Sequence, residues 1–164
     1  MSALIAGVAM YYFQVYAFYD EVSAEVENVQ MTNVVTGQAE PIVFENFKGI
    51  DSDSSPLRYR ACFDVVGSLA MMTETYVVLE AATPLVAPGW FDCFDADQIG
   101  ADLEAGIALP FLGQENVTYG IDRIVAVYPD GRAFAWHEIN RCGEVVFDGD
   151  PVPADCPTPP EGLR

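Results

Sequence analysis

His137 is the only histidine in the 164-residue chain, and Cys142 follows it five positions later. That pair could serve as two metal ligands or as a thiol–imidazole couple. Nucleophilic catalysis, however, needs a base oriented by a third group, and neither G-x-S-x-G nor an equivalent occurs. No Gly-rich phosphate loop is present either. Asp51 and Asp53 in D-S-D-S-S-P, and Asp95 and Asp97 in F-D-A-D-Q-I-G, place paired carboxylates at calcium-like spacing. Neither pair completes an EF-hand loop: Ile99 stands where a third oxygen ligand is needed, and Gly106 where the closing Glu belongs. Met31, Met71 and Met72 are soft ligands that an exported copper protein would use, although methionines of this kind commonly fill cores. Asn116-Val117-Thr118 matches the glycosylation pattern. The residues thus predict no catalytic group, no cofactor and no metal site, and the protein is not read as an enzyme.

Cys62, Cys93, Cys142 and Cys156 form an even set without C-x-x-C, so zinc-finger and thioredoxin spacings are missing. Two disulfides in an oxidising compartment fit better. Three pairings are open. Cys142–Cys156 is favoured because it closes a short loop, which leaves Cys62–Cys93 by elimination.

Several elements must position these groups. Val29–Val35 and Pro41–Phe47 read as strands separated by a turn around Gly37, and Leu57–Val66 as another, with Arg58 and Arg60 on one side and Tyr59 on the other. Ser68–Glu74 suggests a helical turn and Tyr76–Leu79 a strand. Asp95 caps a helix over Asp95–Ala105, with Gln98 completing a capping box and Gly106 ending it. Arg123–Ile139 is the strongest hairpin. Pro129-Asp130-Gly131 suits a three-residue loop, which sets Ile124 opposite Trp136, Ala126 opposite Phe134, and Arg123 opposite His137 on the other face. Glu144–Asp148 is expected to continue the meander as a third strand. Pro151–Pro160 is a proline-rich tail that Cys156 staples back.

Ser2–Tyr19 carries no charge, and all 25 acidic and 7 basic residues follow it. As a helix it would reach roughly 27 Å, close to the ~30 Å of a bilayer core. Tyr11, Tyr12, Tyr16 and Tyr19 gather towards one end, where rings favour the lipid–water boundary. Ala6 and Gly7 give one face small residues that let another helix approach. A cleaved signal and a buried helix are the rival readings. The expected organisation is a transmembrane anchor over 1–20 and an acidic domain over 21–164. The expected fold class is α+β: an N-terminal transmembrane helix, then a small domain with an antiparallel sheet and one or two short helices. No base precedes the span, which implies that Met1 is an internal start with a short basic leader upstream. The net charge of −18 disfavours nucleic acid and anionic headgroups and favours basic proteins or divalent cations.

The segments A-G-V-A-M-Y-Y-F-Q-V-Y-A-F-Y, D-S-D-S-S-P-L-R-Y-R-A-C-F, L-V-A-P-G-W-F-D-C-F-D-A, Y-G-I-D-R-I-V-A-V and W-H-E-I-N-R-C-G-E-V-V-F-D-G cover nearly the whole chain. Together they resemble an uncharacterised family of small proteins from Rhodobacterales-type alphaproteobacteria, a domain of unknown function. The resemblance implies a Gram-negative host, and therefore the periplasm as the oxidising compartment. The expectation is an accessory subunit or assembly factor of an inner-membrane respiratory or photosynthetic electron-transfer complex. Its anchor would lie in membrane lipid as a single pass, with the C-terminal domain in the periplasm. A basic c-type cytochrome is a further expected partner. The competing expectations are a periplasmic metal-handling or thiol-active factor built on His137, Met71-Met72 or a cysteine pair, and an envelope protein without a stable complex.

Overall fold

A computed structural model describes residues 19–24 and 29–162. Its centre is a six-stranded antiparallel sheet in the order β1-β4-β5-β8-β7-β6, from Asp20–Val22, Phe44–Asp51, Arg60–Val65, Arg132–Ile139, Ile121–Val127 and Leu109–Thr118 respectively. A two-stranded hairpin of β2 (Gln30–Thr32) and β3 (Ala39–Pro41) lies over one face. Three helices complete the described chain: α1 (Leu69–Thr75), α2 (Ala96–Glu104) and α3 (Arg141–Phe147).

This corrects the expected α+β fold with a transmembrane helix. The described chain is mostly sheet, with eight strands and three short helices. No described helix is long and apolar enough to cross a membrane. The longest has nine residues, so it reaches only about 14 Å of the ~30 Å required. The apolar residues of the domain are largely β-branched and aromatic and recur at alternate positions, which suits a pleated surface better than a helix stripe. The span expected over Ser2–Tyr19, including Ala6, Gly7, Tyr11, Tyr12 and Tyr16, lies outside the described residues except for Tyr19. That ring, expected at a lipid boundary, packs edge-on against Trp90 at 5.9 Å, with the Arg58 guanidinium 5.6 Å away.

Alternation along the strands builds two cores. Tyr59, Ala61, Phe63, Val125, Val127, Ala133 and Ala135 face one way, under the β2–β3 hairpin and Met72 of α1. Cys62, Ile124, Ala126 and Trp136 face the other, under Phe91, Phe94 and Ile99. The expected hairpin register is present: Ile124 faces Trp136, Ala126 faces Phe134, and Arg123 faces His137. Gly131 takes a φ of 96° and ends the Pro129–Gly131 loop. Asp95 caps α2 by accepting from the Gln98 amide at 3.1 Å. The Gln98 side chain turns forward to Asp102 and leaves the capping box half made.

Local readings change at several places; Tyr76–Leu79, expected as a strand, makes only isolated bridges at Tyr76 and Val78. Glu144–Asp148, expected as a strand, forms the end of α3 and its C-cap, because the Asn140 side chain caps a helix by accepting from the Gly143 amide at 2.9 Å. Val29–Val35 is cut short where the Asn33 side chain accepts from the amides of Val35 and Thr36 and turns the chain. Leu109–Thr118, for which Pro110 and Gly113 give no strand expectation, is an edge strand, where proline costs no interior ladder bond.

Cys62–Cys93 and Cys142–Cys156 are both disulfides, the pairing expected from the sequence. The first ties the middle of β5 to the 79–94 loop. The second holds the proline-rich tail on α3, assisted by an ion pair between Arg141 and Asp155.

Candidate functional site

Cross-strand pairing brings Arg123 of β7 and His137 of β8 to one end of the sheet. There they floor a groove of about 430 Å³. The D-S-D-S-S-P loop forms one wall, and Val117, Thr118, Tyr119 and the Phe147 ring form the other.

His137 is 5% exposed, and both its ring nitrogens are engaged. Arg123 Nε donates to His137 Nε2 at 3.1 Å, and His137 Nδ1 lies 2.6 Å from the Pro56 carbonyl. A guanidinium can only donate, so Nε2 is the acceptor and Nδ1 carries the proton. The imidazole is therefore a neutral ring of fixed tautomer. Burial, then the charge of Arg123, pushes its pKa down to about 4, against the opposing Pro56 bond. Tyr59 stacks on it with centroids 4.8 Å apart, and Arg123 lies 4.0 Å from the centre of the same ring. Because Arg123 and His137 touch, both lie on one face of Tyr59. Burial raises the pKa of Tyr59, whose hydroxyl has no hydrogen-bond partner among the described residues. Burial also raises Asp51 above the usual carboxylate range, although the Ser52 amide donates to it at 2.7 Å.

This arrangement has a testable signature. Above about pH 6.5 the imidazole is neutral in both folded and unfolded chains. As pH falls from 6.5 towards 4, the unfolded chain takes up a proton that the folded chain refuses, so stability declines. The loss from His137 alone reaches up to about 3 kcal/mol. Denaturation midpoints between pH 7 and pH 4 are expected to fall more steeply in the wild type than in His137→Gln; parallel slopes would contradict the assignment.

A second arginine was missed as a structural device. Arg60 is 5% exposed and donates to four backbone carbonyls: Leu57, Tyr59, Leu85 and Val86, at 2.7, 2.6, 3.0 and 3.1 Å. It pins the 79–94 loop onto the sheet. Only the fork of donors on guanidinium satisfies so many carbonyls at once.

Behind the groove, α3 presses on the β6–β7 turn. A Cβ on Gly143 would lie 2.3 Å from the Gly120 carbonyl oxygen, and Gly120 itself has a φ of 79°. Asn140 seals the contact by donating to Asn116 Oδ1 at 3.0 Å and Asp122 Oδ1 at 2.8 Å. Asn116, read as a glycosylation position, is thus part of this polar knot. Gly143→Ala is expected to cost about 1–3 kcal/mol by forcing the helix off the turn. An unchanged melting midpoint would show that the helix can shift freely.

The other sequence candidates do not converge. Cys142 is bonded to Cys156 and is not available to His137. Met31 and Met72 are buried in the core, whereas Met71 is exposed. Asp95 and Asp97 begin α2, on a different element from Asp51 and Asp53. Among the described residues, no three of His, Cys, Asp and Glu gather as a metal site.

The pattern of a family of unknown function (DUF6446) matches residues 29–157. The chain belongs to the DUF6446 family. The matched region takes in both disulfides, the groove, and every described element except β1. No curated protein and no solved structure matches the chain. What DUF6446 membership assigns is thus a shared domain without an assigned reaction.

Proposed function

We propose that the chain is a non-enzymatic accessory subunit or assembly factor of an inner-membrane electron-transfer complex, working on the oxidising, periplasmic side. The observation that carries this reading is how the reactive groups are used. His137 has both nitrogens committed, and the described cysteines are all paired. A domain built this way offers surface, and its surface is acidic: 25 acidic residues against 7 basic ones. Such a surface draws basic proteins, a c-type cytochrome being one of the right chemistry. The two disulfides suit an oxidising compartment. The class of complex follows from the alphaproteobacterial resemblance.

Cells lacking the chain provide the test. A structural subunit predicts a lower yield or stability of one complex, with unchanged turnover per assembled complex. A steering role instead predicts slower carrier-dependent turnover at low salt, converging with the wild type as salt rises, because screening acts beyond ~8 Å at physiological ionic strength. If yield, stability and turnover of every respiratory and photosynthetic complex are unaffected, the reading fails.

A further inference from the structure

One flank of the domain exposes apolar side chains that the fold does not use. Val34 and Val35, at the β2–β3 turn, are 54% and 88% exposed, and Met71 on α1 is 67% exposed. Val43 and Val66 are 68% and 57% exposed. Backbone bonds bring these segments together. The Val34 amide donates to the Thr75 carbonyl at the end of α1, and the Val66 amide donates to the Val43 carbonyl just before that helix. Met71 is carried by α1, which therefore runs between the two valine pairs. Met72, its neighbour, points into the core and fixes which way α1 faces.

The rim of this patch is acidic. Glu40 accepts from the Asn33 side chain beside Val34, and Glu74 lies on α1. Glu45 and Asp64 are directly opposed across β4 and β5, next to Val43 and Val66. Lys48 lies further along β4, and Arg132 stands opposite Asp64 across β5 and β8 but pairs with Asp130 at 2.8 Å. An apolar centre with a mainly acidic rim selects its occupant. A second copy would set carboxylates against carboxylates, and an anionic bilayer or a nucleic acid would be repelled. A basic segment with an apolar face satisfies both features.

We propose that the flank formed by Val34, Val35, Val43, Val66 and Met71 docks a Lys/Arg-rich amphipathic segment of a partner protein. This rests on the accessory-subunit reading and names the surface it would use. Apolar contact sets the register, while the acidic rim speeds encounter and excludes acidic partners.

The test uses the full chain and a short synthetic Leu/Lys amphipathic peptide. Its controls are a scrambled peptide of the same composition and a Leu/Glu version. The patterned peptide is expected to bind about tenfold more tightly than the scrambled one. That ratio should persist as salt weakens both. The Leu/Glu peptide should not bind. Val35→Gln/Met71→Gln should lose about fivefold, whereas Val86→Gln/Ile107→Gln, also exposed but on other segments, should lose less than about twofold. Equal affinity for patterned and scrambled peptides would overturn the proposal, as would equal losses in the two double variants. Concentration-dependent dimers that Val35→Gln/Met71→Gln abolishes would assign the flank to a second copy instead. Binding to phosphatidylcholine/phosphatidylglycerol vesicles that the same variant abolishes would assign it to lipid. If Val35→Gln/Met71→Gln keeps the native complex intact, the flank is wrong while the accessory reading stands. If peptide binding behaves as expected but no complex depends on the chain, the accessory reading fails alone.

Discussion

Trp136→Ala is expected to destabilise the domain by about 3–5 kcal/mol, a large share of what a domain of this size possesses. The indole is fully buried at the centre of the second core. Ile124 faces it from β7 and Arg60 from β5, and the Phe94 ring meets it edge-on at 6.1 Å. None of these neighbours can collapse into the space. Ile124 is fixed by its strand, Arg60 by four carbonyl bonds, and Phe94 by the loop that the Cys62–Cys93 bridge secures. The deletion thus removes transfer energy and leaves a cavity. Urea denaturation should show a large fall in midpoint with an unchanged slope. A midpoint near that of the wild type would place Trp136 on the wrong face of the sheet.

Replacing Cys62 and Cys93 together by Ala is expected to cost roughly 3–4 kcal/mol, more than the roughly 3 kcal/mol for the Cys142/Cys156 pair. The difference follows from loop length, with sequence separations of 31 and 14. The two bridges also guard different structures. Cys62–Cys93 clamps the long, strand-poor segment that carries Phe91 and Phe94 over the sheet. Cys142–Cys156 clamps a tail that is also tied by the Arg141–Asp155 ion pair and by the Tyr119 hydroxyl donating to the Pro157 carbonyl at 2.6 Å. Chemical denaturation of both double variants checks the order. A larger loss from the Cys142/Cys156 pair would mean that the tail, not the 79–94 loop, depends more on its crosslink.

The hairpin from Arg123 to Ile139 was legible in full, because alternation and a Pro-Asp-Gly turn act locally and set register unaided. The α2 cap was legible for the same reason, as was the short-loop disulfide. α3 was not. Its Val145–Phe147 segment looks like a strand until Asn140 is recognised as a cap, and Gly143 finds its reason only in the distant Gly120. β6 was obscured by Pro110 and Gly113, whose tolerance depends on edge position, a property of topology. At the site, the facing of Arg123 and His137 was readable, yet their engagement with Pro56 and Tyr59 was not, since it joins residues far apart in sequence. The role of Arg60 was likewise hidden. An arginine on a strand reads as a solvated charge until the distant Leu85 and Val86 carbonyls join those of the nearby Leu57 and Tyr59 around it.

We propose that this DUF6446 chain acts by holding a partner. Mild-detergent extraction of native membranes, followed by native electrophoresis and quantitative mass spectrometry, tests that most directly. The chain is expected to migrate in fixed stoichiometry with one large electron-transfer complex, and the complex to shift or become labile when the chain is absent. Migration of the chain alone, with every such complex unchanged in size and amount without it, would rule out the partner-holding role.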